Sequence, residues 1–137
     1  MFSRILVPVD LTAKNRVALD AACRLLAPAG ELVLLHVVER LADDAAESEG
    51  FYAALDRRAR EVLRELGDIG RRSGARVREE LVLGHRVEEI VTAASREGSD
   101  LVVLASHRLD PERPFADGLS LSYRVALLLP CPVLLVK

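Results

Sequence analysis

Asp100-Leu-Val-Val-Leu-Ala105, running into Ser106-His-Arg-Leu-Asp-Pro-Glu-Arg-Pro-Phe-Ala-Asp-Gly-Leu-Ser120, is the stretch that decides the fold. Its first part is apolar at every position after the aspartate. Such a run suits a strand covered on both faces, as in a parallel sheet, better than a strand with one wet face. Its second part is a polar, proline-containing loop, after which Leu121, Val125 and Leu128 resume with helical spacing. In an open α/β sheet, ligands sit beyond the carboxyl ends of the strands, where the strand order reverses. The loop is therefore expected to lie over a ligand crevice.

Working outward, the same strand character recurs in Arg4-Ile-Leu-Val-Pro-Val-Asp10, in Glu31-Leu-Val-Leu-Leu-His-Val-Val38 and in Pro132-Val-Leu-Leu-Val136. Pro8 removes a ladder donor and is tolerable only near a strand's end. Arg76-Val-Arg-Glu-Glu-Leu-Val-Leu83 is charged in its first half, which predicts an edge strand, because charge discourages edge-to-edge pairing. Between these runs lie helical patterns. Thr12 or Asn15 is expected to cap the first helix, with Ala18, Ala22, Leu25 and Leu26 facing inward and Pro28, Ala29 and Gly30 stopping it. Residues Glu39 to Gly50 show no period and read as a loop or a frayed first turn. Tyr52, Leu55, Ala59, Val62, Leu66 and Ile69 mark a long second helix closed by Gly70 and Gly74. Val87, Ile90, Val91 and Ala94 mark a third, with Glu88 and Glu89 complementing its dipole. The order is βαβαβαβαβ, which implies a parallel sheet with right-handed crossovers.

The totals agree with one domain over residues 1–137. A net charge of −2 argues against nucleic acid or an anionic membrane as the main partner, and no apolar run approaches the ~20 residues of a membrane span. The opening residues read as a strand and not as an export signal. Cys23 and Cys131 are expected to be free thiols in a reducing, cytoplasmic setting, with no metal-ligand spacing around either. His36, alone in a buried run, reads as a core residue with one satisfied nitrogen. No Ser-His-acid or Cys-His set is spaced so as to recommend catalysis; Ser106 and His107 are adjacent, but chain neighbours generally point apart, so adjacency is no evidence for a dyad. The expectation is that the chain is not an enzyme. His85 and His107 acquire no assigned role.

Several pieces, in order and with matching spacing, resemble the universal stress proteins. They are Ile5-Leu-Val-Pro-Val-Asp10 followed by Ala18-Leu19, Leu34-Leu-His-Val-Val38, Gly84 ahead of Glu88-Glu89-Ile90, Asp100 to His107, and Ser122-Tyr-Arg-Val followed by Pro130-Cys-Pro-Val-Leu-Leu-Val136. The resemblance spans essentially the whole chain. It implies an open five-stranded parallel α/β sheet of order 3-2-1-4-5 with helices on both faces, Rossmann-like and akin to the adenine nucleotide alpha-hydrolases. It also implies a homodimer paired through the terminal strand, Val133, Leu134, Leu135 and Val136, which would cover an exposed edge.

Many members of that family resemble ATP binders, with a loop Gly-x-x-Gly-x(9)-Gly-Ser/Thr after the fourth strand. Glycines let backbone amides approach phosphates, and a hydroxyl at the helix start receives negative charge. Carried onto this chain, Ala105 and Arg108 stand at the first two glycine positions. Gly118 is retained, Leu119 stands where the hydroxyl belongs, and Ser120 comes one residue late. Asp110, Glu112 and Asp117 outnumber Arg108 and Arg113, while Pro111 and Pro114 lack amide donors. The resemblance further implies that Pro8, Val9 and Asp10 approach the nucleotide, and that the backbone of Val38 lies near its base. Asp10 could equally cap the next helix or bond loop amides. The expected function is a non-enzymatic stress-protein domain acting by dimerisation or partner binding, with ATP binding weakened or lost. The alternative is an ATP- or AMP-binding member using a non-standard phosphate loop.

Overall fold

The structure is a computed structural model that describes residues 1–39, 49–106, 111–113 and 120–137. The elements are β1 (Phe2–Pro8), α1 (Asn15–Leu25), β2 (Leu26–Val38), α2 (Glu49–Arg72), β3 (Arg76–Leu83), α3 (Arg86–Arg96), β4 (Leu101–Ala105), α4 (Leu121–Leu128) and β5 (Val133–Val136). All strand pairs are parallel, in the order β3-β2-β1-β4-β5. The doubly covered sheet read from the apolar runs is thus present, and the charged β3 is an edge.

Alternation along each strand divides the core into two layers. Ile5, Val7, Leu32, Leu34, Leu101 and Val103 pack with Ala18, Leu19 and Ala22 of α1 and Leu63 of α2. Leu6, Val33, Leu35, Val102 and Leu104 face the other way, onto Ile90, Ala93 and Ala94 of α3 and Val125 of α4. Every side chain of the β1 and β4 centres is therefore buried, which is why those runs are apolar at consecutive positions. No helix among the described residues is long and apolar enough to cross a membrane.

Three local expectations are corrected. The residues Pro28-Ala29-Gly30 do not follow the helix as a stop: α1 ends at Leu25 and β2 already begins at Leu26, five residues before Glu31. Leu26 pairs with Phe2 and Glu31 with Arg4, so the segment between is an irregularity in the ladder, with Ala29 at φ 63°. At the other end of α1, neither Thr12 nor Asn15 is the cap; Lys14 holds that position without a side-chain bond. Finally, Gly70 does not end α2, which runs on to Arg72. A Cβ at Gly70 would lie 2.9 Å from Val77 Cγ2 and 3.5 Å from Leu32 Cδ1. The glycine is there because the helix passes close over the sheet.

Candidate functional site

The strand order reverses at β1, which has β2 on one side and β4 on the other. Beyond their carboxyl ends lies a small cavity of about 60 Å³ lined by Pro8, Val9, Asp10, Asn15, Ala105 and Ser122 among others. Pairing persists one residue past β1, through Val9 N–H to the Leu35 carbonyl at 2.8 Å. The Val9 carbonyl lies 2.8 Å from His36 Nδ1. A carbonyl can only accept, so Nδ1 carries the hydrogen; His36 has the one satisfied nitrogen expected from its run but is half-buried and not part of the core.

The turn after β1 is built by two side chains. Asn15, only 3 % exposed, accepts from Asp10 N–H at 3.0 Å and donates to the carbonyls of Asp10 and Thr12 at 2.5 and 2.9 Å. Asp10 Oδ1 accepts from the amide and the hydroxyl of Thr12 at 2.8 and 2.6 Å, an Asx turn. Asp10 therefore bonds a loop amide, one of the roles open to it, and its Oδ2 has no hydrogen-bond partner among the described residues. The carboxylate is held by one oxygen and offers the other.

On the β4 side, Ala105 is half-buried and its carbonyl accepts from Ser122 Oγ at 3.3 Å. Ser120 is the N-cap of α4, its Oγ accepting from Tyr123 N–H at 3.2 Å. The serine that comes one residue late against the family pattern is thus where the helix begins, which is a proper capping position. The structure brings Pro8, Val9, Asp10 and Ala105 around one cavity. Val38 is buried apart from that lining, with its carbonyl taken by Gly84 N–H at 3.1 Å. Arg108 and Gly118 lie outside the described residues, as does His107. Val133 to Val136 form the other edge of the sheet, all four half-buried.

Sequence reasoning passed over Asn15 as a mere cap and did not single out Arg86. Arg86 lines this cavity and also a larger one of about 640 Å³ between the start of α3 and α4, as does Leu121. The larger hollow also takes in Glu39, whose Oε1 accepts from Arg86 N–H at 2.8 Å. The available signal was positional: Arg86 follows Gly84 at the carboxyl end of a strand, on the rim where α/β sheets bind ligands. Among the described residues no cluster of three or more His, Cys, Asp or Glu could hold a metal.

The model of the universal stress protein family matches residues 1–137. No curated protein matches the chain. Among solved structures, the hypothetical protein MJ0577 is 28 % identical with a TM-score of 0.85, the match covering 100 % of this chain and 96 % of that one. A universal stress protein in complex with cAMP is 24 % identical, TM-score 0.77, covering 99 % and 97 %. One from Archaeoglobus fulgidus in complex with dAMP is 21 % identical, TM-score 0.72, covering 98 % and 97 %. With the sheet order, the two helical layers and a family match over its full length, this chain belongs to the universal stress protein family.

Proposed function

We propose that the domain binds an adenine nucleotide of the monophosphate type and acts through that binding and through self-association, as a regulator and not as an enzyme. The observation that carries the reading is the crevice beyond β1 and β4, where Asp10 is fixed through Oδ1 while Oδ2 faces no protein donor among the described residues. A carboxylate so held is a ready acceptor for ribose hydroxyls or a base amino group. The family structures in complex with cAMP and dAMP support a monophosphate as ligand. Ala105 and Arg108, standing where the resemblance implies glycines, argue against a firm grip on a triphosphate. The free, half-buried Cys23 and Cys131 suit a reducing cytoplasm.

Calorimetry with AMP, cAMP and magnesium ATP tests this. Saturable, stoichiometric binding of AMP or cAMP, tighter than that of ATP, is expected. Absence of saturable binding by any of the three sinks the reading, and tight ATP binding refutes the weakened triphosphate grip.

A second reading, compatible with the first, is a homodimer through β5. Val133, Leu134, Leu135 and Val136 carry no charge, are all half-buried, and occupy the end of the sheet. An apolar edge with free backbone groups is a template for a second strand, and an antiparallel pair of two β5 strands satisfies a two-fold axis.

A further inference from the structure

We infer that Asn15 and Thr12 are positioning residues of the nucleotide site, fixing the Asp10 carboxylate before a ligand arrives and so setting how tightly Asp10 grips it. This positioning role rests on the nucleotide reading above and adds what gives Asp10 its hold. It shows in the polar atoms of Asp10, taken one by one. The N–H donates to Asn15 Oδ1 at 3.0 Å, and the carbonyl accepts from Asn15 Nδ2 at 2.5 Å. Oδ1 accepts twice from Thr12, from its amide at 2.8 Å and its hydroxyl at 2.6 Å. Oδ2 alone has no partner among the described residues, and it belongs to a residue that lines the cavity beyond β1.

Asp10 is an exposed residue, and an exposed carboxylate ordinarily samples several rotamers. Ordering such a side chain only when the ligand binds weakens binding by a few-fold to about 10-fold. Here the fold does the ordering in advance. Asn15 is buried as the first residue of α1, and Ala18, Leu19 and Ala22 of the same helix pack into the core. The turn that carries Asp10 is thereby tied to a close-packed element, which does not shift without disturbing the sheet.

The start of α1 supplies an independent sign. Lys14 holds the cap position without a side-chain bond, although Thr12 and Asn15, both good capping types, stand beside it. Asn15 reaches back instead, donating to the carbonyls of Asp10 and, at 2.9 Å, Thr12. Thr12 Oγ1 accepts from Lys14 N–H at 3.3 Å but gives its own hydrogen to the carboxylate. A helix start that forgoes its cap while its polar residues serve a turn is the kind of local exception found at functional sites. A turn that had only to close would need the Thr12 amide bond to Oδ1 and no more. The added hydroxyl bond restrains the carboxylate itself.

The test is a double-mutant cycle read by calorimetric titration of the full chain with AMP, each protein checked for fold by circular dichroism. Asn15→Ala frees the turn and is expected to weaken AMP about 10-fold. Thr12→Val removes the hydroxyl and keeps the amide bond; about a threefold loss is expected, with Thr12→Ser recovering most of it. In an Asp10→Ala background each change is expected to alter AMP affinity by less than about twofold, because residues acting through one group are not additive. Should Asn15→Ala not fold, Thr12→Val decides alone, since Thr12 is exposed. Losses of full size in the Asp10→Ala background overturn the positioning role, because the two residues would then shape the pocket independently of the carboxylate. AMP affinity unchanged by Thr12→Val and Asn15→Ala, but lowered by Asp10→Ala, also overturns it and leaves the nucleotide reading standing. A wild type that does not bind AMP refutes the nucleotide reading, and the positioning role with it.

Discussion

The two edges of the sheet have opposite surfaces. β3 faces the solvent with Arg78, Glu79 and Glu80, and each of these is tied down. Arg78 contacts Glu97 at the end of α3, lies 3.5 Å from Glu31 on β2 and 3.7 Å from Glu80, while Arg96 reaches Glu80 at 2.9 Å and Glu97 at 3.3 Å. Arg71 of α2 bonds Glu79 at 2.5 Å. β5, by contrast, is Val-Leu-Leu-Val with no charge at all. A strand with fixed ion pairs on its flanks is closed to pairing, and a bare apolar strand is open to it. The same sheet therefore has one edge closed by ion pairs and one uncharged edge that suits the proposed pairing with a second copy.

Breaking the open edge should have the largest effect. Val102 N–H donates to the Pro132 carbonyl at 3.0 Å and Ser106 N–H to the Val136 carbonyl at 2.7 Å. Strand alternation then turns the backbone of Leu134 toward β4 and that of Val133 and Leu135 outward. Leu135→Pro removes an outward amide and leaves the β4 ladder intact. Light scattering after size exclusion should show dimer converted to monomer at micromolar concentration, with circular dichroism retained. Leu135→Ala, which trims packing but keeps the amide, should remain a dimer at a lower melting temperature. A Leu135→Pro protein that still dimerises removes β5 from the interface.

This contrast was partly legible in the sequence. Arg78-Glu-Glu80 announced an edge because charge is unaffordable in a doubly covered strand, and Leu101 to Leu104 announced a centre for the converse reason. Local pattern did not reveal which charges meet: Glu97 is remote from Arg78 in the chain and joins it only through the α3 crossover. The same limit applied at the site. Asp10 was visible as the acid after an apolar run, but Asn15 resembled any polar residue near a helix start. Its role as the buried brace of the turn depends on three backbone groups brought together by folding. Gly70 misled for a related reason. A glycine late in a helical pattern ordinarily signals a stop, and only the nearness of Val77 shows that it marks a close approach.

The finished edge should yield more modestly. Glu97 is only 9 % exposed and Arg78 about half, so losing Arg78 leaves a nearly buried carboxylate beside Glu80 with Arg96 as its remaining cation. Arg78→Ala is expected to cost about 1–2 kcal/mol in urea unfolding, the range for a hydrogen bond to a charged group with its solvent-exposed half discounted. The oligomeric state should not change. A loss at β3 that also dissolved the dimer would mean that the two edges are not independent.

The smallest effect expected is a change in pH dependence. Burial, followed by a hydrogen bond to Glu97, raises the Glu80 carboxyl above its ordinary value, against the pull of Arg96 and Arg78. For Glu97, burial also pushes upward, but the hydrogen bond from Glu80 and the charges of Arg78 and Arg96 outweigh it and lower its pKa. The opposite directions predict a pH window in which Glu80 is protonated and Glu97 is not. Glu80, raised in the folded state, contributes stability that is full below its unfolded value and is lost as pH rises through its folded one. Glu97, lowered, contributes stability that is present above its unfolded value and is lost as pH falls through its folded one. Glu80→Gln keeps a donor for Glu97 and an acceptor for Arg96 at every pH. It should therefore remove the decline of stability above the Glu80 transition while leaving the acid-side loss governed by Glu97. Melting temperatures of wild type and variant, taken from pH 4 to pH 8, should diverge toward neutral pH in favour of the variant by about 3 °C for each kcal/mol recovered. Parallel curves would show that the Arg78 and Arg96 cations hold both carboxylates ionised, so that β3 is closed by a plain ion network with no such window.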